Sequence, residues 1–185
     1  METKHVLKQA VFTVILFVGT LTYGQTKMVG GAEMYPSKNI IENAVNSKDH
    51  TTLVAAVKAA GLVETLQGKG PFTVFAPTNA AFDKLPKGTV ENLLKPENKK
   101  MLQGILTYHV AAGKWTAKAI VKAIKKNDGM FTFKTLNGEE LTAMMDGKMV
   151  KIKDKSGNVP TVTIADVMQS NGVIHGINTV LLPNK

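Results

Sequence analysis

Two apolar stretches, residues 70–82 and residues 171–183, constrain the fold of this chain more than any other feature. They read Gly-Pro-Phe-Thr-Val-Phe-Ala-Pro-Thr-Asn-Ala-Ala-Phe and Asn-Gly-Val-Ile-His-Gly-Ile-Asn-Thr-Val-Leu-Leu-Pro. Each has β-branched or aromatic residues in the middle and turn-forming residues at its ends, which is typical of a short buried strand. Neither stretch contains a nucleophile, a metal-ligand set or a phosphate-binding loop. The pattern therefore favours a binding scaffold over an enzyme.

The first 24 residues are predicted to be a secretory signal peptide. Lys4 and Lys8 provide a positive start, an apolar run follows from Ala10 to Leu21, and small residues end it near Gly24. The run is about twelve residues long, whereas a membrane-spanning helix needs roughly 20. We therefore expect cleavage, no stable membrane span afterwards, and a secreted protein that is periplasmic or extracellular. A retained membrane anchor is the alternative.

The rest of the chain has the length of one domain. Residues 25–38 mix glycine with small and polar residues without a period, so we expect a flexible lead-in, followed by the domain in residues 39–185. The chain has no cysteine, which excludes disulfides and thiol chemistry. An exported domain of this composition must be stable through packing alone.

The basic residues are all lysines. The chain has 23 of them against 14 acidic residues, a formal net charge of +9, and no arginine. Arginine is the residue that binds phosphate and guanine edges in a bidentate manner. Nucleic acid is therefore not an expected partner, whereas attraction to an anionic surface remains possible.

The apolar period changes along the chain from helical to alternating. Helical spacing occupies residues 40–45, 53–60, 90–94, 99–108 and 117–124, with Thr116 and Gly61 placed as helix caps. From Met130 the period is two, and Asn137-Gly138 marks a hairpin turn. The predicted later strands are Met130–Leu136, Glu139–Met145, Met149–Lys153, Val159–Ile164 and Val173–Leu182. We predict an α+β domain with most of its helices first.

Residue types that carry catalysis are sparse. No serine lies in a Gly-x-Ser-x-Gly turn, and His50, His109 and His175 lack the spacing of a helix-borne zinc pair. We therefore predict no catalytic residue, no metal site and no cofactor, and we expect His109 and His175 to be structural. Asp166 follows a predicted strand, where it either caps a turn or presents an exposed carboxylate for recognition.

Two groups of lysines are candidates for binding anions. Lys118 and Lys122 lie on one face of a predicted helix, and Lys151 and Lys153 on one face of a predicted strand. A solvated surface is the ordinary interpretation of such lysines. The alternative is that the two groups merge into one basic patch.

The two opening stretches carry a resemblance to the fasciclin-like (FAS1) domain family. Residues Thr73–Phe82 match the family's first signature, Asn171–Pro183 match the second, and Tyr108-His109 match its internal Tyr-His pair. The resemblance implies a β-sandwich-like wedge with flanking helices, in secreted or surface proteins that mediate adhesion. In animal adhesion members an Asp-Ile pair and the Tyr-His pair are tied to integrin recognition. Asp166, Val167, Tyr108 and His109 are therefore candidate binding residues.

The leading hypothesis is a secreted, non-enzymatic domain for adhesion or for binding matrix or another ligand. Its expected partner is a cell-surface or matrix protein or a polysaccharide. One alternative is a lysine-mediated binder of anionic polysaccharide. The other is an undetected metal-dependent or hydrolytic enzyme that uses His109, His175 and Asp166.

Overall fold

The computed structural model describes residues 25–183, which form seven α-helices and nine β-strands. The predicted signal peptide, residues 1–24, lies outside the described residues. The helices are α1 (Ile40–Ala44), α2 (Thr51–Ala60), α3 (Val63–Gln67), α4 (Asn79–Phe82), α5 (Thr89–Leu93), α6 (Lys99–Tyr108) and α7 (Ala117–Lys126). The strands are β1 (Lys27–Val29), β2 (Ala32–Met34), β3 (Phe72–Pro77), β4 (Val110–Ala112), β5 (Met130–Lys134), β6 (Glu140–Asp146), β7 (Met149–Lys153), β8 (Val162–Gln169) and β9 (Gly172–Ile177). This order confirms the predicted α+β class.

The predicted helix ends are confirmed where their caps form. Gly61 ends α2 in the left-handed conformation, with φ of 71°. The Thr116 side chain accepts a hydrogen bond from the Ala119 N–H at the start of α7. The Gly61 N–H also donates to the Lys58 carbonyl, so each cap pairs a backbone group that the helix end would leave unpaired.

The predicted flexible lead-in instead contains regular structure. Strands β1 and β2 pair as an antiparallel hairpin, and Val29 and Met34 on its inner side are 7% and 3% exposed. The hairpin turn is held because the Lys48 N–H donates to the Gly30 carbonyl at 3.0 Å. The prediction was wrong here because these apolar residues are too few to show a period, yet the domain surface buries them.

The two signature stretches lie side by side in the central sheet, whose strand order is β4-β3-β9-β8. Strands β3 and β9 pair in parallel, from Phe72 opposite Gly172 to Pro77 opposite Ile177. Every residue of β9 is buried, so both faces of this strand are covered. The expectation of short buried strands is confirmed.

A second sheet, of order β5-β6-β7, contains the predicted hairpin at Asn137-Gly138. The Asn137 side chain fixes the turn by accepting from the Glu139 N–H at 3.0 Å. Isolated bridges join Ala111 to Thr135 and Lys151 to Thr161, so the second sheet meets the central sheet at both edges. This arrangement matches the expected sandwich-like wedge.

The central sheet separates two hydrophobic cores. On one side, Val74, Ala76 and Ile174 pack against the hairpin and helices α1, α2, α3 and α6, and we call this the first core. On the other side, Phe75 and Ile177 pack against α7 and the second sheet, and we call this the second core. Adjacent β3 residues contribute to different cores because side chains alternate along a strand.

The predicted strand boundaries differ most from the structure at the ends of β8 and β9. Strand β8 continues beyond Ile164 to Gln169 because irregularities between Val162 and Val167 absorb extra residues. Strand β9 ends at Ile177, not Leu182. Beyond it the backbone pairs with side chains: the Leu181 N–H donates to His109 and the Leu182 N–H to Asp154.

Candidate functional site

Tyr108 lies at the end of α6 and is fully buried. Its hydroxyl donates to the Glu140 carbonyl at 3.1 Å and accepts from the Lys155 N–H at 3.0 Å. Burial raises the pKa of Tyr108 to about 12, so the phenol is neutral at physiological pH. The side chain therefore joins α6 to the second sheet and cannot reach a ligand on the surface.

His109 is 2% exposed and uses both ring nitrogens within the fold. Its Nδ1 lies 2.8 Å from the Ile105 carbonyl, and its Nε2 accepts from the Leu181 N–H at 3.0 Å. These partners require a proton on Nδ1 and none on Nε2. Burial lowers the pKa of His109 to about 4, which keeps the ring neutral. The structural role expected for His109 fits this geometry.

Asp166 lies within β8, at a position where the backbone is left-handed with φ of 56°. Its Oδ1 accepts from the Ala117 N–H, the first helical residue of α7, at 2.7 Å. Asp166 is half-buried, and its carboxylate does not project freely. It caps α7, which is distant in sequence, and does not cap its own turn. Its neighbour Val167 is 3% exposed and belongs to the first core. The candidate recognition pair is thus largely withdrawn from the surface.

His175 lies next to Asp166 and is fully buried. Its Nε2 is 2.7 Å from the Trp115 carbonyl, and its Nδ1 accepts from the Asp166 N–H at 3.3 Å. Burial lowers its pKa. In residues 25–183 no three histidine, cysteine or acidic side chains converge to hold a metal. The fold brings Asp166 and His175 together as a structural joint between β8, β9 and α7.

The two lysine groups do not share a face. Helix α7 packs with Ile120 and Ile124 against the side of the second sheet that carries Phe133 and Leu141. Lys151 and Lys153 project from the opposite side of that sheet, because their neighbours in β7 point inward. Lys151 also forms an ion pair with Asp146 at 2.5 Å. The merged basic patch is therefore wrong, and α7 carries its own exposed lysines, at 118, 122, 125 and 126.

An apolar cavity of about 60 Å³ lies within the first core, between the central sheet and the helices in front of it. His50 lines this cavity and is 5% exposed. Its Nδ1 lies 2.8 Å from the Ser47 Oγ. Its Nε2 forms no hydrogen bond of normal geometry within the described residues. Burial lowers the pKa of His50, and the nearby Ala76 carbonyl opposes this shift. Sequence reasoning assigned His50 no role, because no motif marks it and only the folded chain places it inside.

Comparison with known proteins agrees with the fold. A family model described as the fasciclin domain matches residues 48–183. Protein sll1483 of Synechocystis sp. is 48% identical over 162 residues, which cover 88% of this chain and 83% of that protein. Cell surface glycolipoprotein MPB83 of Mycobacterium bovis is 39% identical over 147 residues, covering 76% of this chain and 58% of that protein.

A solved structure shares the architecture. It is the FAS1 domain pair from the insect cell adhesion molecule Fasciclin I, with a TM-score of 0.71 and 19% sequence identity. The match covers 80% of this chain and 52% of the other, so the chain spans about half of that domain pair. Within residues 25–183, none of the helices has the length and hydrophobicity needed to cross a membrane.

Proposed function

The chain belongs to the fasciclin domain family, and from this premise we propose that it is a secreted, non-enzymatic adhesion or ligand-binding domain of the cell envelope or extracellular matrix. The observation that carries the proposal is the family match over residues 48–183, which contains the second core and most of the first. One relative is a cell surface glycolipoprotein, and the solved structure that shares the fold comes from a cell adhesion molecule. The histidines of the alternative enzyme hypothesis, His109 and His175, have both ring nitrogens engaged in the fold, which favours a binding role.

A cell-binding experiment tests the proposal. Since the chain has no cysteine, a Ser156→Cys variant accepts one fluorescent label at an exposed position. We expect the labelled protein to bind whole cells, matrix extracts or a glycan array saturably, and unlabelled protein to displace it. Binding that is absent from all three surfaces, or that unlabelled protein fails to displace, would contradict the proposal.

The exposed lysines of α7 favour anionic polysaccharide as the ligand. Lys118, Lys122 and Lys125 follow one helical face, and α7 contains no acidic residue. The ion pairs formed among residues 25–183 are Lys151 with Asp146 and Lys155 with Glu140, so neither neutralises this helix. Flexible lysines act as point charges, and such binding weakens as salt screens them.

Matched charge variants distinguish binding at this lysine face from binding through the overall positive charge. Replacing Lys118, Lys122 and Lys125 with glutamine should sharply weaken binding to an acidic polysaccharide such as alginate at low salt. The control replaces Lys95, Lys99 and Lys100, which are also exposed, and removes the same charge elsewhere. Equal loss in both variants would assign the binding to net charge, and an affinity that does not change with salt would reject an electrostatic site.

A further inference from the structure

The cavity beside His50 is unsuited to water. Its walls are aliphatic side chains from the β1–β2 hairpin, α2 and the central sheet, including Val29, Met34, Leu53, Val57, Val74 and Ile174. Its other buried polar liners, Ser47 and His109, are hydrogen-bonded within the fold, and Lys58 of α2 lies at its exposed edge. A buried water forms about three hydrogen bonds, and apolar cavities stay dry and accept apolar molecules. Among the described residues, the buried side-chain polar atom that lacks a hydrogen bond is Nε2 of His50.

We propose that this cavity binds an aliphatic chain that ends in a hydroxyl group, with the hydroxyl on His50 Nε2 and the chain along the apolar walls. A hydroxyl fits because it both donates and accepts. The contact between Ser47 Oγ and Nδ1 allows the ring proton on either nitrogen, and a hydroxyl pairs with Nε2 in both cases. The volume of about 60 Å³ holds several water-sized groups, since one water needs about 10–15 Å³.

The aliphatic chain of the ligand leaves the cavity between α1 and α2. The exposed and partly exposed liners on the helices lie here: Ile41 and Ala44 on α1, Val54 and Lys58 on α2, and Val63 on α3. The partly exposed liner elsewhere is Ile164 on β8. Ala44 is the smallest of these liners, so a larger side chain at this position closes the opening. This site shares no residue with the lysine face of α7, and its test is independent of adhesion.

Titration of the full chain with 1-hexanol and 1-chlorohexane tests the proposal. The two probes have the same carbon chain, but chlorine is a poor partner for imidazole. Carbon-13 NMR of methyl groups is the readout. We expect saturable shifts confined to cavity liners such as Val57 and Val74, with 1-hexanol bound about fivefold more tightly, as one neutral hydrogen bond allows. Alcohols from butanol to decanol then show whether longer chains extend through the opening.

Two helix variants locate the binding. Ala44→Phe should weaken 1-hexanol binding at least tenfold. Ala59→Phe makes the same change at an exposed position of α2 that does not line the cavity, and should leave affinity unchanged. His50→Phe should reduce the affinity for 1-hexanol to that for 1-chlorohexane. The proposal is overturned by shifts that do not saturate, by equal affinity for both probes in the natural chain, or by Ala44→Phe binding as tightly as Ala59→Phe.

Discussion

At the scale of single residues, Tyr108 and His109 link segments of the fold that are distant in sequence. Each uses its polar atoms for backbone groups from other parts of the chain, as buried polar groups must. Their burial explains how a signature can identify a family without forming its binding surface. A ligand bound at the surface must therefore contact other residues.

Replacing Tyr108 with phenylalanine tests this structural role. The change removes two part-buried hydrogen bonds, one from the Lys155 N–H and one to the Glu140 carbonyl, so we expect the free energy of unfolding in urea to fall by about 1–3 kcal/mol. Tyr35→Phe is the control, because its hydroxyl pairs with Glu33 at the surface. That variant should change stability by less than about 0.5 kcal/mol. Similar effects in the two variants would contradict the role of Tyr108.

The low pKa of His109 makes stability depend on pH. Between pH 6.5 and about 4 the unfolded chain binds a proton at this residue and the native chain does not. The free energy of unfolding therefore falls as pH decreases through this window, by up to about 1.4 kcal/mol per pH unit for one histidine. Burial lowers the pKa of His50 and His175 too, which adds to the fall. We expect the free energy of unfolding in urea to fall less between pH 6.5 and pH 5 in His109→Gln than in the natural chain. An equal fall in the two proteins would disprove the assignment.

At the scale of elements, the sequence predicted most helices and strands but not their partners. Alternation and turn residues mark β3 and β9 as buried strands, yet nothing local shows that Phe72 lies opposite Gly172. Such pairing depends on contacts across about a hundred residues, which no local period records. The β1–β2 hairpin was missed for a related reason, since its burial depends on a surface formed by the rest of the chain.

The candidate site was predicted less well than the fold. Asp166 was expected beyond a strand, but the irregularity in β8 keeps it inside the sheet and aims its carboxylate at α7. Val167 then points into the first core. A bulge of this kind reverses which side chains face outward, and the sequence alone gives no sign of it.

Replacing Gly172 with alanine tests how closely the paired strands β3 and β9 approach, and Gly104 in α6 provides the control. A Cβ at Gly172 would collide with the Phe72 carbonyl oxygen, which is backbone and cannot move aside. We expect Gly172→Ala to lower the free energy of unfolding by about 3 kcal/mol or more. Gly104 lies within α6, with nothing near its missing Cβ, so Gly104→Ala should raise it by about 0.5–1 kcal/mol. Thermal unfolding followed by circular dichroism compares them, and a tolerated Gly172→Ala would refute the close approach.

At the scale of the whole molecule, the two cores share one sheet. Val74 and Phe75 are neighbours in β3, yet they belong to the first and second core respectively. Neither core can lose its packing without exposing one face of the same strands. We therefore expect the domain to unfold as one cooperative unit, although its layers differ in secondary structure.

The single tryptophan makes this cooperativity measurable. Trp115 packs against Phe131 and Phe133 in the second core, whereas Leu106 of α6 is buried in the first. Leu106→Ala should lower the free energy of unfolding by about 2–5 kcal/mol. The urea transitions by Trp115 fluorescence and by circular dichroism should shift together, because the shared sheet transmits the loss. Met101→Ala, on the exposed side of α6, should shift neither. If Leu106→Ala moved the circular dichroism transition while Trp115 fluorescence kept its natural midpoint, the cores would be independent.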